Sequence, residues 1–286
     1  MFLVKIKYSI AKFLQYFISD RLFTSLRYFI VFKKFPNLKS PKTFNEKLAF
    51  CKINTNNDKI TTLADKFLLK DYVSKKIGSE YVINTLQITN DINSIDFNNL
   101  PNSFIIKATH GSGWNIIVKN KDQINKTKIL KMCKHYLSMN YYFYARERQY
   151  LNMKPQIMIE ELLLTDDGNV PDDYKFFTFN SEVKYIQIDV SRYSNHERAF
   201  YDINWNRIPV SLAFPNHKHE IKKPENINEM IAICRKLTEG INFARVDMYS
   251  YKNKIFIGEI TFTPGANVEK FSPSYYDKIF GENFKL

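Results

Sequence analysis

Apolar residues recur along this chain with two different periods, and the change from one to the other divides it. Phe2, Leu3, Ile6, Ile10, Phe13, Leu14, Phe17 and Ile18 fall at helical spacing with Lys5, Lys7 and Lys12 between them. That spacing predicts an amphipathic helical start extending to about residue 35. Pro36-Asn37-Leu38-Lys39-Ser40-Pro41 follows as a connector, and Thr43-Phe44-Asn45-Glu46 has the form of a capping box opening a new helix. A further helical stretch is expected from about Asp58 to Lys76, closing at Gly78, with a short strand at Tyr81-Val82-Ile83.

From Ser103 the period shortens. Phe104-Ile105-Ile106-Lys107, a loop with two glycines, and Asn115-Ile116-Ile117-Val118 predict strand, glycine loop, strand. A helix is expected from about Lys126 to Met139, and the pattern of Tyr141 to Tyr150 fits neither period. Three strand-like runs come next, Gln156 to Leu164, Tyr174 to Asn180 and Val183 to Asp189, then a helix over about Asn228 to Thr238. The last pattern is a hairpin, Ala244-Arg245-Val246-Asp247-Met248-Tyr249 and Ile255-Phe256-Ile257-Gly258-Glu259-Ile260, turning through Lys252-Asn253-Lys254.

Composition narrows the class. At 286 residues, 44% hydrophobic and 15% aromatic, the chain has ample material for a large core. Cys51, Cys133 and Cys234 are far apart and form no CxxC or Cys/His cluster, so neither a disulfide framework nor a structural zinc site is supported and a reducing cytoplasm fits. A net charge of +13 favours anionic partners, but no nucleic-acid motif accompanies it, and nucleic acid is not expected as a partner. Charges interrupt the N-terminal segment too often for a membrane span, and no small-residue cleavage site follows it. Two readings stay open there: a helix lying on the anionic inner face of the membrane, or a helix packed on the body of the protein.

Candidate chemistry sits at four places. Alternation puts Asp247 and Glu259 opposite one another on one sheet face, where buried like charges call for a cation such as Mg²⁺; the alternative is a solvated hairpin face with Arg245 neutralising one carboxylate. Lys107 precedes Gly111-Ser112-Gly113, whose backbone N–H groups can form an anion-binding nest, or which is simply a hairpin turn. In Glu160-Glu161 one carboxylate should point into the core or a cleft and the other away, unless both are on the surface. Lys175, inside a strand, needs an anion if it is buried.

Taken in order, Thr43-Phe44-Asn45-Glu46-Lys47, Ala64-Asp65-Lys66, Lys107 with His110-Gly111-Ser112-Gly113-Trp114-Asn115, Glu160-Glu161, Pro171-Asp172-Asp173-Tyr174-Lys175-Phe176 and Gly258-Glu259-Ile260-Thr261-Phe262-Thr263-Pro264-Gly265 resemble the TupA-like ATP-grasp family, associated with bacterial cell-surface polysaccharide synthesis. The resemblance covers about residues 40 to 286. It implies an α+β ATP-grasp fold, two α+β subdomains enclosing a nucleotide cleft, with residues 1–57 as a basic helical N-terminal region and 58–286 as the catalytic domain. It further implies Lys107 on the phosphates of ATP, Gly111, Ser112 and Gly113 closing over them, Glu160, Glu161 and Leu162 as the adenine-side hinge, Lys66 as a further cofactor contact, and Asp247 and Glu259 holding Mg²⁺. Many members of the wider superfamily carry an asparagine where this chain has Thr261.

The expected reaction is ATP-dependent ligation of a carboxylate, such as a uronic or amino acid, to an amine through an acyl phosphate. Lys175 and Arg245 are the candidates for stabilising developing charge, unless Arg245 is only a structural partner of Asp247. Arg192, Asn195 and Arg198 are candidates for an acidic substrate, a small carboxylate or acidic glycan, and His196 for a base unless it is an ordinary surface residue. A glycosyltransferase or carbohydrate kinase of the same pathway, and a non-catalytic polysaccharide- or membrane-binding protein, are the alternatives.

Overall fold

A strand that alternates apolar and polar side chains must bury one face and find a different environment for the other, and here that requirement organises two antiparallel sheets facing one another. The computed structural model describes residues 2–55, 57–191 and 196–286. The chain opens with five helices, α1 (Phe2–Leu14), α2 (Asp20–Phe32), α3 (Phe44–Asn54), α4 (Asp58–Ala64) and α5 (Leu68–Lys76). Then come β1 (Thr85–Thr89), β2 (Phe104–Ala108), β3 (Asn115–Val118), α6 (Lys126–Leu137), α7 (Tyr142–Ala145) and β4 (Ile157–Glu161). The remainder is β5 (Asp173–Phe179), β6 (Glu182–Val190), β7 (Glu197–Asp202), β8 (Arg207–Ile208), β9 (Ser211–Leu212), α8 (Ile227–Leu237), β10 (Phe243–Tyr251), β11 (Lys254–Thr261), β12 (Phe271–Ser272) and α9 (Tyr276–Asn283). The small sheet has the order β1-β4-β2-β3 and the large one β11-β10-β5-β6-β7-β8, with β12 pairing β9 separately.

Each sheet turns one face to helices. On the large sheet Phe176, Ile186, Ile188, Ala199, Ala244, Val246, Met248 and Ile260 form a core with Met230, Ile233 and Leu237 of α8 and Leu63, Leu69 and Val73 of α4 and α5. The opposite face is split lengthwise. At one end Phe177, Phe179, Phe200 and Phe243 pack with Phe44 and Leu48 of α3 and Phe280 and Phe284 around α9; the other end is polar and meets the small sheet. The small sheet buries Phe104, Ile106, Ile157 and Ile159 against Ile129 and Cys133 of α6, which leaves Ile105, Lys107, Met158 and Glu160 on the face toward the large sheet.

Several local expectations hold and some are corrected. Thr43 caps α3, with Glu46 returning the bond to the cap backbone. The hairpin turns on Lys252 and Asn253, both at positive φ, so Lys254 belongs to β11 instead of the turn. The stretch 58–76 is two helices: the Asp65 carboxylate accepts from the N–H groups of Phe67 and Leu68 at 2.8 and 3.0 Å and starts α5 afresh. Tyr81-Val82-Ile83 is a 3₁₀ turn ending at Tyr81 and a single bridge from Val82 to Ile257, and the strand begins at Thr85. Residues 141–150 form α7 and a short 3₁₀ turn over Arg148–Tyr150.

Phe44 is 2% exposed and its ring contacts those of Phe177, Phe179, Phe243, Phe271, Phe280 and Phe284. Phe44→Ala should therefore cost about 3–5 kcal/mol of unfolding free energy in urea titration. Phe17→Ala, at a ring that is 70% exposed, should stay within about 0.5 kcal/mol of the parent.

Candidate active site

The polar end of the large sheet is built by register. Across β11, β10, β5 and β6 the paired positions are Glu259, Asp247, Lys175 and Gln187; the two carboxylates come side by side because a register shift next to Asp247 leaves Gly258 without a partner, and β5 brings in a lysine 72 residues away in the chain. One position along, Asp173 pairs Asp189, and Asp189 pairs Arg198. Arg245, two residues before Asp247, points to the same face.

These side chains are buried and compensate one another. Lys175 Nζ lies 2.8 Å from Asp247, 3.2 Å from Asp173 and 3.6 Å from Asp189. Arg245 donates to both oxygens of Asp247, at 2.7 and 2.8 Å, and to the Thr261 hydroxyl at 3.3 Å; Thr261 in turn donates to Glu259 at 3.2 Å. Burial opposes the Arg245 charge, but Asp247 outweighs it and raises the pKa of the guanidinium further. Burial likewise pushes the Asp189 carboxyl up, while Lys175 and Arg198 overcome it and hold the group below the usual carboxylate range. Arg198 donates to Asp189 at 2.8 Å and to the Leu212 carbonyl at 2.7 Å, and His196 Nε2 is 3.4 Å from Asp189 with its ring on Phe214. Arg192 and Asn195, expected in the same corner, lie outside the described residues.

The small sheet supplies the facing wall. Lys107 and Glu160 are diagonal neighbours on β2 and β4 and approach to 2.5 Å. Lys70 of α5 reaches the other Glu160 oxygen at the same distance. Burial would raise the Glu160 carboxyl, but Lys107 and Lys70 outweigh it and hold it below its ordinary 4.5, whereas burial lowers Lys70. Glu161 points the other way, is exposed and accepts from Asn84. Lys70 was missed in the sequence, where it is one more lysine on a polar helix.

The glycine loop is tied to both walls. A β-carbon on Gly111 would sit 2.6 Å from the Trp114 ring, and Gly113 has φ +73°, so both positions need glycine. Lys66 Nζ donates to the Gly111 carbonyl at 2.5 Å and lies 4.0 Å from Glu259, bridging the loop to the carboxylate end. Lys66, Lys107, Ser112, Gly113, Asn115, Asp173, Asp247, Tyr249 and Glu259 line one cleft. Beside it Ile83, Ile105, Ile117, Leu162, Leu163 and Val170 line an apolar recess shared with Lys107 and Glu161, which opens past Ile117 and Pro171 into a groove of about 900 Å³. A separate cavity of about 240 Å³ lies around Lys52, Gln149 and Phe243 and is lined by none of the candidate catalytic, cofactor, metal or substrate residues.

Glu160 gives a direct test of this wall. Its carboxylate contributes stability that is present above about pH 4.5 and is lost as pH falls through its depressed folded value. Glu160→Gln should cost about 3–5 kcal/mol at neutral pH, because two lysines lose their counter-charge. The gap to the parent, followed by chemical denaturation, should narrow as pH drops below 4.5.

None of the curated proteins matches the chain. Among solved structures it is similar to a D-alanine–D-alanine ligase from Bacillus anthracis, with 14% identity over 70% of this chain and 57% of that one at a TM-score of 0.41. It is also similar to the ATP-grasp ligase PsnB complexed with a phosphomimetic variant of its minimal precursor, Mg and ADP, with 13% identity over 84% and 65% at 0.42. The third is an N5-carboxyaminoimidazole synthase from Aspergillus clavatus, with 14% identity over 72% and 45% at 0.41. The chain thus spans less than two thirds of the length of each of these proteins. The model of the TupA-like ATPgrasp family matches residues 46–285, which takes in both sheets and every wall of the cleft, and the chain belongs to that family.

Proposed function

We propose that this protein is an ATP- and Mg²⁺-dependent ligase that joins a carboxylate to an amine, with the uronic and amino acids of surface-polysaccharide assembly as the substrate class. The observation that carries this reading is the opposite charge bias of the two walls. At the small sheet two lysines, Lys107 of β2 and Lys70 of α5, share the carboxylate of Glu160, which suits an anion. On the large sheet Asp247 and Glu259 are adjacent at the cleft, which suits a cation. A magnesium nucleotide has both.

The donor set fits such an ion. Among the described residues no group of three or more His, Cys, Asp and Glu is placed to hold a metal, and Mg²⁺ bound with nucleotide phosphates needs only one or two protein carboxylates. Asp247 already accepts from Arg245 and Lys175, so Glu259 would be the first donor and Asp247 the second. Bound MgATP would supply the phosphoryl group that turns a carboxylate into an acyl phosphate, with ADP leaving, and the amine would then attack the acyl carbon and release phosphate.

The chain's own residues then divide the work. Ser112 and Gly113 would cover the phosphates, Lys107 would neutralise them, and the backbone around Glu161 and Leu162 would meet the flat base across the recess of Ile83, Ile105 and Ile117. Arg245 and Lys175, held by buried carboxylates, present fixed positive charge where negative charge develops. Arg198 and His196, around Asp189, mark the far end of the same polar face, where His196 takes the proton of the incoming amine.

Purified protein with Mg²⁺ and a matrix of uronic acids, amino acids and amino sugars should release ADP only when a carboxylate and an amine are both present. Release with a hydroxyl acceptor alone would turn the assignment to a kinase, and consumption of a sugar nucleotide without ATP would remove both. Lys107→Ala and Glu259→Gln should each lower kcat by about 10²–10³-fold, with the thermal midpoint of Glu259→Gln unchanged. Full activity in both variants would place the chemistry elsewhere.

A further inference from the structure

Of the large hydrophobic side chains exposed among the described residues, nine of fifteen fall between Ile10 and Phe35. Phe13, Tyr16 and Phe17 are 61, 74 and 70% exposed, and Leu22, Leu26 and Phe29 form an i, i+4, i+7 stripe along α2. The inner faces of both helices are already used. Tyr8 packs on Phe143 and Tyr144, the Ala11 carbonyl accepts from Arg146, Asp20 is bound by Tyr142 and Arg148, and Phe23 lies under the Arg146 guanidinium. Because α1 and α2 both sit on the segment 140–148, their apolar stripes face away from it.

The charge around these stripes has one sign. Residues 1–45 contain nine Lys and Arg against the single acid Asp20, which is itself paired. Lys12, Arg21, Lys33, Lys34, Lys39 and Lys42 are exposed. The family model matches residues 46–285, so this surface lies before the matched residues. Protruding aromatic and aliphatic tips among lysines and an arginine, with no acid left unpaired, match the boundary between acyl chains and anionic headgroups. No helix among the described residues is long and apolar enough to cross a membrane, and α1 and α2 have 13 residues each.

We infer that α1, α2 and the turn between them form a docking surface for an anionic lipid bilayer, with the apolar stripes entering the headgroup boundary and the lysines meeting lipid phosphates. Tyr8 of α1 touches Tyr144, whose ring contacts Trp114 beside the glycine loop, so docking would hold the cleft close to the bilayer.

The test is co-sedimentation of the full chain with vesicles of phosphatidylcholine alone or mixed with phosphatidylglycerol. Partition onto the anionic vesicles should be at least about tenfold stronger and should weaken with added salt. Phe13→Ser with Phe17→Ser, and separately Lys34→Glu with Lys39→Glu, should each reduce it by about tenfold or more with an unchanged thermal midpoint, since these side chains are exposed. Equal binding to both vesicle types, undiminished binding by either variant, or no binding to anionic vesicles at low salt would overturn the inference. So would a concentration-dependent dimer that the Phe13/Phe17 variant abolishes, since a second copy would then cover the face.

Discussion

Lys175 sits within 3.6 Å of three carboxylates, Asp173, Asp189 and Asp247, at 3% side-chain exposure. A lone buried ammonium or carboxylate would be expelled or neutralised, so the large sheet can keep its polar face only because three adjacent strands, β10, β5 and β6, deliver these charges in register. Arg245 and Arg198 complete the set from β10 and β7. The phenylalanine cluster at the other end of the same face locks the strands against α3 and α9, and that packing fixes the register on which the ion pairs depend. Apolar packing and charge pairing therefore support each other along the length of single strands.

The cleft inherits its electrical asymmetry from this arrangement. On the large-sheet side the cations are committed to buried partners, and Glu259 stands at the edge of the network, steadied by Thr261 and faced by Lys66. On the small-sheet side the imbalance is reversed, two lysines to one glutamate. Lys66 links the two by holding the Gly111 carbonyl, so the loop that would cover a polyphosphate is tethered to the carboxylate end it would have to approach.

What could be read from the residues is what depends on local period. Glu160 was separable from Glu161 because consecutive strand residues face opposite ways, whereas Asp247 and Glu259 were paired through a three-residue turn that has only two residues, and the pairing stands because a bulge at Gly258 makes up the difference. What could not be read depends on contacts between distant segments. Lys70 lies on a helix with the composition of a solvated surface, and only the packing of α5 beside the end of β4 carries it to Glu160. The break between α4 and α5 was hidden because Asp65 and Lys66 fit a continuous helix by propensity; the competing cap of Asp65 and the bond from the Lys66 N–H to the Thr109 carbonyl decide it. The saturation of Asp247 by both Arg245 and Lys175 likewise required knowing that β10 is central, with β5 on its other side.

Thr261 can be understood on the same terms. A threonine hydroxyl is shorter than an asparagine amide and offers a donor as well as acceptor capacity. Here it accepts from Arg245 at 3.3 Å and donates to Glu259 at 3.2 Å, so one side chain couples the guanidinium to the carboxylate without adding a formal charge to a crowded face. An asparagine could supply an oxygen to an ion, but its bulk would have to fit between the same two groups. The Thr261 hydroxyl thus orients Glu259. With Asp247 already engaged by two cations, orientation of the remaining carboxylate is what this end of the cleft depends on most.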